Sequence, residues 1–194
     1  MLTILPRDNK SRTQANAIAN HNDKKEVMMA VCDVFNLNES SLKEIKKDWD
    51  GWNWQVTSTR IDYDKKTVTH YADSTVTKPI VIKLKEIPVC QPTYLNNLIS
   101  TSIGLEYLRA LMNKKKATKH QIVSEFERIS GKSADDIRFW TPTIEERNNR
   151  PMRAVRLYFG NDWFIVFADD WVDYDNGISR GVSISPAQQE AKKC

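Results

Sequence analysis

Cysteine is scarce in this sequence and poorly placed for structural use. The three cysteines of the 194 residues are Cys32, Cys90 and Cys194. Odd in number and far apart, they form neither a CxxC pair nor a disulfide framework. That pattern fits a reducing, cytoplasmic setting in which the thiols are buried or lie in the tail. Glycine is also sparse, at six residues, and no Walker A, GxGxxG, GxSxG or HExxH pattern occurs. The three histidines, His21, His70 and His120, lack a cysteine or carboxylate at metal-ligand spacing. Glu44-Ile45-Lys46 resembles half of a nuclease carboxylate–lysine pair, but it falls on an expected helix rather than a core strand. No catalytic set, metal site or cofactor is therefore expected. No apolar run approaches the ~20 residues of a membrane span, and the start Met-Leu-Thr-Ile-Leu-Pro-Arg-Asp has no basic segment leading into an apolar one, so neither a membrane anchor nor a signal peptide is expected. Internal repeats and low-complexity segments are absent too.

What is present describes a globular chain. Hydrophobic residues make up 40% and charged residues 28%, enough apolar material at this length to bury a core without disulfide or metal staples. The net charge of +4 is unevenly spread: residues 1–97 carry +2, residues 98–160 carry +5 and residues 161–194 carry −3. A basic middle before an acidic end suggests a polar binding surface, and it falls short of the basic stripe of a dedicated nucleic-acid binder.

The clearest local signal is a β-hairpin between Arg150 and Trp171. Val155, Leu157 and Phe159 alternate with Arg156 and Tyr158, the period of a half-buried strand. Gly160-Asn161 has the composition of a two-residue hairpin turn. The return strand, Trp163 to Ala168, is apolar on both faces, which calls for something to cover each side. Upstream, Gln55–Tyr63, Thr67–Tyr71 and Pro79–Ile87 read as a three-stranded antiparallel meander. Helices are expected from Asp23, with Val27, Met28, Val31, Val34 and Phe35 on one face, and from Ser41, with Leu42 and Ile45 inward. A long helix is expected from Thr93 to about Asn113, with Gly104 permitting a close crossing or a kink. Thr118-Lys-His-Gln121 is a capping box opening a further helix, and Ser133–Trp140 reads as a short helix. A polar helical turn, Thr143 to Asn149, precedes the hairpin, and a weak strand follows at Gly181–Ile184.

The resulting fold class is α+β, with N-terminal helices and a meander, then a helical segment closed by a hairpin. The organisation has four parts: a mobile polar arm at 1–22, a lobe at 23–90, a second lobe at 91–185 and a loose tail at 186–194, with the lobes parting at Pro88-Val-Cys-Gln-Pro92.

Two functional readings follow. The first is a non-enzymatic binding protein that occupies a surface on another protein or a protein–nucleic acid complex. It would be an inhibitor or adaptor of the accessory kind that phages and plasmids carry, a provenance resting on what the chain lacks. Its contact residues would be Trp49, Trp52 and Trp54, together with the acidic-aromatic edge Asp162, Trp163, Asp169, Asp170, Trp171, Asp173 and Asp175. Asp169, Asp170, Asp173 and Asp175 suit a hard cation in type, but their spacing fails the calcium-loop template. The second reading takes the order helix, helix, turn, short helix, hairpin as a winged helix-turn-helix. Ser133–Trp140 would be its recognition helix, and Lys114, Lys115, Lys116, Lys119, Lys132 and Arg138 would meet DNA phosphates. Asp135 and Asp136 at the start of that helix, and Asp162 at the wing tip, oppose DNA.

Overall fold

A computed structural model describes residues 3–48, 54–89, 92–160, 162–173 and 177–183. The chain runs β1 (Thr3–Arg12), α1 (Gln14–Asp23), β2 (Val27–Met28), α2 (Val31–Val34), α3 (Glu39–Asp48), β3 (Trp54–Asp62), β4 (Thr67–His70) and β5 (Ile80–Lys83). It continues with β6 (Thr93–Tyr94), α4 (Leu95–Ser100), α5 (Ser102–Met112), α6 (Lys119–Ser130), β7 (Ile137–Trp140), α7 (Ile144–Asn149), β8 (Met152–Phe159), β9 (Phe164–Trp171) and β10 (Gly177–Ser183). The protein is α+β, and its strands form one large mixed sheet. None of the described helices is long and apolar enough to cross a membrane.

The sheet order is β1-β10-β3-β8-β9-β7-β6; β4 and β5 branch from β3, and β2 attaches to β10. The β10/β3 and β7/β9 pairs are parallel. The hairpin forms as its alternation requires, with Leu157 opposite Val166 and Phe159 opposite Phe164. Its turn is shifted from the expected Gly160-Asn161: beyond the last ladder pair, Phe159 and Phe164, the Gly160 N–H donates to the Trp163 carbonyl at 2.9 Å, so Gly160 belongs to the closing pair. The three-stranded meander is present as β3-β4-β5, but it is one branch of the larger sheet. Strand pairing joins β3 to β8 across the Pro88–Pro92 segment. The 1–22 arm contributes β1, paired with β10, and α1, capped by Thr13, whose hydroxyl accepts the Asn16 N–H.

Other expectations are corrected. No helix begins at Asp23; α1 ends there, Lys25 takes a left-handed φ of 57°, and Val27–Met28 pairs with β10. Residues 27–35 are all buried, so a helical stripe and a strand fit the same apolar letters. The long helix after Thr93 is two: β6 comes first, and α4 breaks at Thr101, whose side chain caps α5 through the Gly104 N–H at 3.0 Å. Gly104 sits where a methyl group would run into the Leu98 carbonyl, so the close crossing is real. Ile137–Trp140 is strand β7, in parallel register with Phe164–Phe167. With a strand in place of the recognition helix, the winged-helix order does not hold.

The two faces of the sheet differ in cover. One carries the main core: Ile61, Ile137, Phe139, Val155, Leu157, Phe164 and Val166 meet buried residues of α2 to α6 in a single cluster. The opposite face carries a small cluster, Ala17 and Ile18 of α1 against Met28 and Val56. Gln14 pins α1 down by donating to the carbonyls of Thr57 (2.7 Å) and Thr59 (3.0 Å). Because α1 lies over β2, β3 and β10, the β8-β9-β7 part of this second face is left with half-exposed aromatic rings.

Candidate functional site

Register decides which side chains share that open face. Tyr94 pairs with Arg138, Arg138 with Ile165, Trp140 with Phe167, Ile165 with Tyr158, Phe167 with Arg156, and Tyr158 with Trp54. Paired residues project to the same side of a sheet, so four strands and the edge strand β6 bring these residues together. The rings form a connected strip. Trp140 stacks on Phe167 (centroids 5.3 Å apart, planes at 13°), and Trp54 meets Phe167 edge-on at 4.9 Å and Tyr158 at 4.7 Å. Beside it the Arg138 guanidinium lies 4.2 Å from the Trp163 ring and 5.5 Å from Tyr94. Trp54, Arg138, Trp140, Trp163 and Phe167 are half-buried, and Tyr94 is exposed. The Nε of Arg138 and the indole N–H of Trp140 are buried without a hydrogen-bond partner.

Charge surrounds the strip on the β9 side. Residues 162–173 include Asp162, Asp169, Asp170 and Asp173 and no lysine or arginine. Asp162 is exposed at the hairpin end. At the other end a register shift between Ala154 and Arg156 sets two β9 residues, Ala168 and Asp169, opposite the single β8 residue Val155, a bulge that re-aims side chains. Asp170 there forms an ion pair with Arg156, whose side chain is wholly buried. Burial raises the Asp170 carboxyl above its ordinary range despite Arg156 and the Trp171 N–H. Asp169 is pushed up to about 6, first by burial, then by the like charges of Asp170 and Glu146; Arg153 acts the other way. One Asp169 carboxylate oxygen is buried and unpartnered. Farther along, Arg150 covers the Trp171 ring at 4.3 Å and reaches Asp173 at 3.6 Å.

The structure redistributes the residues singled out from the sequence. Trp54 and Trp163 join the strip and Asp162 and Asp170 border it; Trp171 pairs with Arg153 on the sheet's other side, where the bulge also places Asp169. Trp49, Trp52 and Asp175 lie outside the described residues. The basic set is dispersed. Lys114, Lys115 and Lys116 line a shallow pocket of about 570 Å³ after α5, where Lys114 pairs with Glu125 at 3.4 Å. Lys119 opens α6, Lys132 follows its far end, and Arg138 stands on the sheet between two aromatic rings. Tyr94, Trp140, Tyr158 and Phe167 were not among the sequence candidates. The alternation Ile-Arg-Phe-Trp over 137–140 and the doubly apolar return strand carried the signal for Trp140 and Phe167.

A second arrangement has the connectivity of hydrolytic chemistry. Nδ1 of His21 lies 2.9 Å from Glu26 and its Nε2 lies 3.1 Å from the Ser179 hydroxyl, the order of carboxylate, base and nucleophile. His21 and Ser179 are each 1% exposed. A methyl group on neighbouring Gly181 would already crowd Leu5, Glu26 and His21. The trio leaves no room for a substrate and ties α1 to β10. Among the described residues no cluster of His, Cys, Asp or Glu is placed to hold a metal ion. No protein-family model matches the chain, and neither curated proteins nor solved structures offer a significant match.

Proposed function

We propose that this chain is a non-enzymatic binding protein, an inhibitor or adaptor, that acts by occupying a surface on a partner protein through the open face of its sheet. The observation that carries this reading is the connected strip Trp54–Phe167–Trp140, half-exposed on the face of the sheet opposite the main core. Rigid aromatic side chains held on strands lose little conformational entropy on binding, and aromatic anchors dominate interface energetics. The sheet edges are poor alternatives. β1 carries Pro6, Arg7, Lys10 and Arg12 with two register shifts, β5 has four residues ending in Lys83, and β6 has two. Short, charged or proline-bearing edges resist strand addition.

The test is affinity capture of the tagged chain from a lysate of its source, with nuclease, comparing wild type with three variants. Trp140→Ala plus Phe167→Ala removes the anchors, and Tyr94→Glu adds charge at the exposed rim without touching the core. Lys114→Glu plus Lys116→Glu reverses the basic patch. The reading expects one protein partner held in stoichiometric amount, lost from both face variants and retained by the lysine variant. Loss of a Trp-class anchor typically costs 2 kcal/mol or more, about thirtyfold in affinity. A partner retained by both face variants while their thermal unfolding shows them folded, or one lost on lysine reversal, refutes it.

A further inference from the structure

The turn between α5 and α6 lies away from the aromatic face, among the helices that cover the main core. Residues 107–124 contain Arg109, Lys114, Lys115, Lys116 and Lys119 and no aspartate or glutamate. This turn is built rather than loose. Asn113 takes a left-handed φ of 53° at the end of α5; its N–H donates to the Ala110 carbonyl at 3.0 Å, and the Lys114 N–H donates to the Arg109 carbonyl at 2.9 Å, a Schellman cap. The Ala117 N–H then closes a four-residue turn onto the Lys114 carbonyl at 3.1 Å, and the Arg109 Nε holds the Ala117 carbonyl at 2.9 Å. Thr118 and Gln121 cap α6 directly afterwards. A lysine run in a free loop would splay to separate its charges. Fixed in this way, Lys114, Lys115 and Lys116 instead surround one hollow of about 570 Å³, with the buried Met112 and Ala117 in its wall.

Little within the chain offsets these charges. Glu125 is the only carboxylate lining the hollow. Its Oε2 already takes Arg128 at 2.9 and 3.2 Å, and its Oε1 lies 3.4 Å from Lys114. Lys115 and Lys116 are exposed and form no ion pair among the described residues. Gln121 accepts the Thr118 N–H through Oε1 at 2.9 Å, which leaves its amide donors to the hollow. α6 starts at the rim without an acid in its first turn, so its positive end adds to the field. Cations on three consecutive residues match several negative charges held close together, as in linked phosphates. A nucleic-acid strand would need its contacts laid out along a track, whereas Lys132 lies past the far end of α6 and Arg138 stands between two rings on the sheet. The volume falls in the range of about 300–1,000 Å³ usual for small-molecule sites.

We propose that the α5–α6 turn is a binding site for a small ligand carrying two or three linked phosphate groups, either free polyphosphate or a nucleoside polyphosphate. Lys114, Lys115 and Lys116 contact the phosphates, Gln121 donates to a phosphate oxygen, and Met112 and Ala117 offer an apolar wall to a base.

The test is an amide NMR titration of the full ¹⁵N-labelled chain in magnesium-free buffer at about 0.15 M salt. The probes are tripolyphosphate, ATP, inorganic phosphate and a twelve-nucleotide oligothymidylate. Expected are saturable shifts of the 114–121 amides with tripolyphosphate and ATP, one ligand per chain, about tenfold or more tighter than with inorganic phosphate. Lys115→Ala plus Lys116→Ala should weaken this binding about tenfold. Lys83→Ala plus Lys85→Ala, which removes the same charge from exposed positions at and beyond the end of β5, should leave it unchanged. ATP binding more tightly than tripolyphosphate identifies a nucleotide as the ligand; ATP binding no more tightly identifies free polyphosphate. Equal weakening by both lysine pairs, or inorganic phosphate binding as tightly as the linked phosphates, overturns the proposal, because net charge alone would then account for the shifts. An oligothymidylate that saturates the same amides more tightly than ATP overturns it in favour of a strand. Absence of shifts with every probe at millimolar concentration overturns it outright. None of these outcomes touches the aromatic face, whose variants leave the turn intact.

Discussion

Asp169 makes the bulge in β9 costly at neutral pH, and Asp169→Asn should show by how much. Its carboxyl titrates at about 6 in the fold, against 3.8 for the ordinary side chain. At 1.36 kcal/mol per pH unit this is roughly 3 kcal/mol as a ceiling. The side chain is half-buried rather than sealed, so solvent screening brings the expected figure nearer 1.5 kcal/mol. The direction follows from proton uptake. The folded chain holds this proton more tightly than the unfolded chain, so stability falls as pH rises from about 4 to about 6, and stays lower above that. Asparagine carries no charge to desolvate and places none beside Asp170 and Glu146. The variant should therefore be more stable than wild type at pH 7.5, with a thermal midpoint higher by about 3–6 °C for a chain of this size. The gain should be largely lost near pH 4, where the folded wild-type carboxyl is protonated and the unfolded one is about half so. Thermal unfolding followed by circular dichroism across pH 4 to 8, both proteins in the same buffers, measures it. An unchanged midpoint at pH 7.5, or a gain equal at pH 4 and pH 7.5, would refute the reasoning, the second because it would locate the effect in packing rather than in charge.

Three further predictions test the frame around the site. Gly104→Ala pushes a methyl group into the Leu98 carbonyl where α4 meets α5; the clash is with backbone, so about 1–3 kcal/mol should be lost in urea denaturation, and a neutral outcome would mean that the α4–α5 junction is looser than described. Asp170→Ala removes the carboxylate paired with the buried Arg156 charge and should cost about 3–5 kcal/mol, whereas Asp170→Leu combined with Arg156→Met should recover most of that loss; equal destabilisation by the single and double variants would deny the buried pair. Thr118→Ala removes the reciprocal cap in which Thr118 and Gln121 satisfy each other's N–H groups and should cost about 1 kcal/mol, with faster amide exchange confined to the first turn of α6 as the specific sign.

The parts of the fold legible in the sequence are those whose signal is local and unambiguous in period. The β8–β9 hairpin, the β3–β4–β5 branch and the Thr118 capping box each depend on residues within about twenty positions of one another. Where every residue is buried, the letters lose their period, and residues 27–35 were misread for that reason. Ile137–Trp140 failed differently. Four residues after a glycine-containing turn are too few to separate a short helix from a strand, and what makes them a strand is the parallel ladder with Phe164–Phe167, a partner supplied from beyond α7. The sheet order itself was illegible because contacts such as β3 with β8 and β10 with β1 join residues about ninety or more positions apart.

The same distance explains why the candidate site was split in two when read along the chain. Arg138 belonged with the lysines because charge and proximity in sequence grouped it with them, and Trp163 belonged with the aspartates for the same reason. Placed on adjacent strands, they stack at 4.2 Å, and the grouping that matters becomes aromatic ring plus guanidinium, bordered by carboxylates. The lysines remain outside that group, spread from the end of α5 past both ends of α6. A basic residue held between two rings is a poor contact for phosphate, since its charge is already shared and its stacking surfaces are taken.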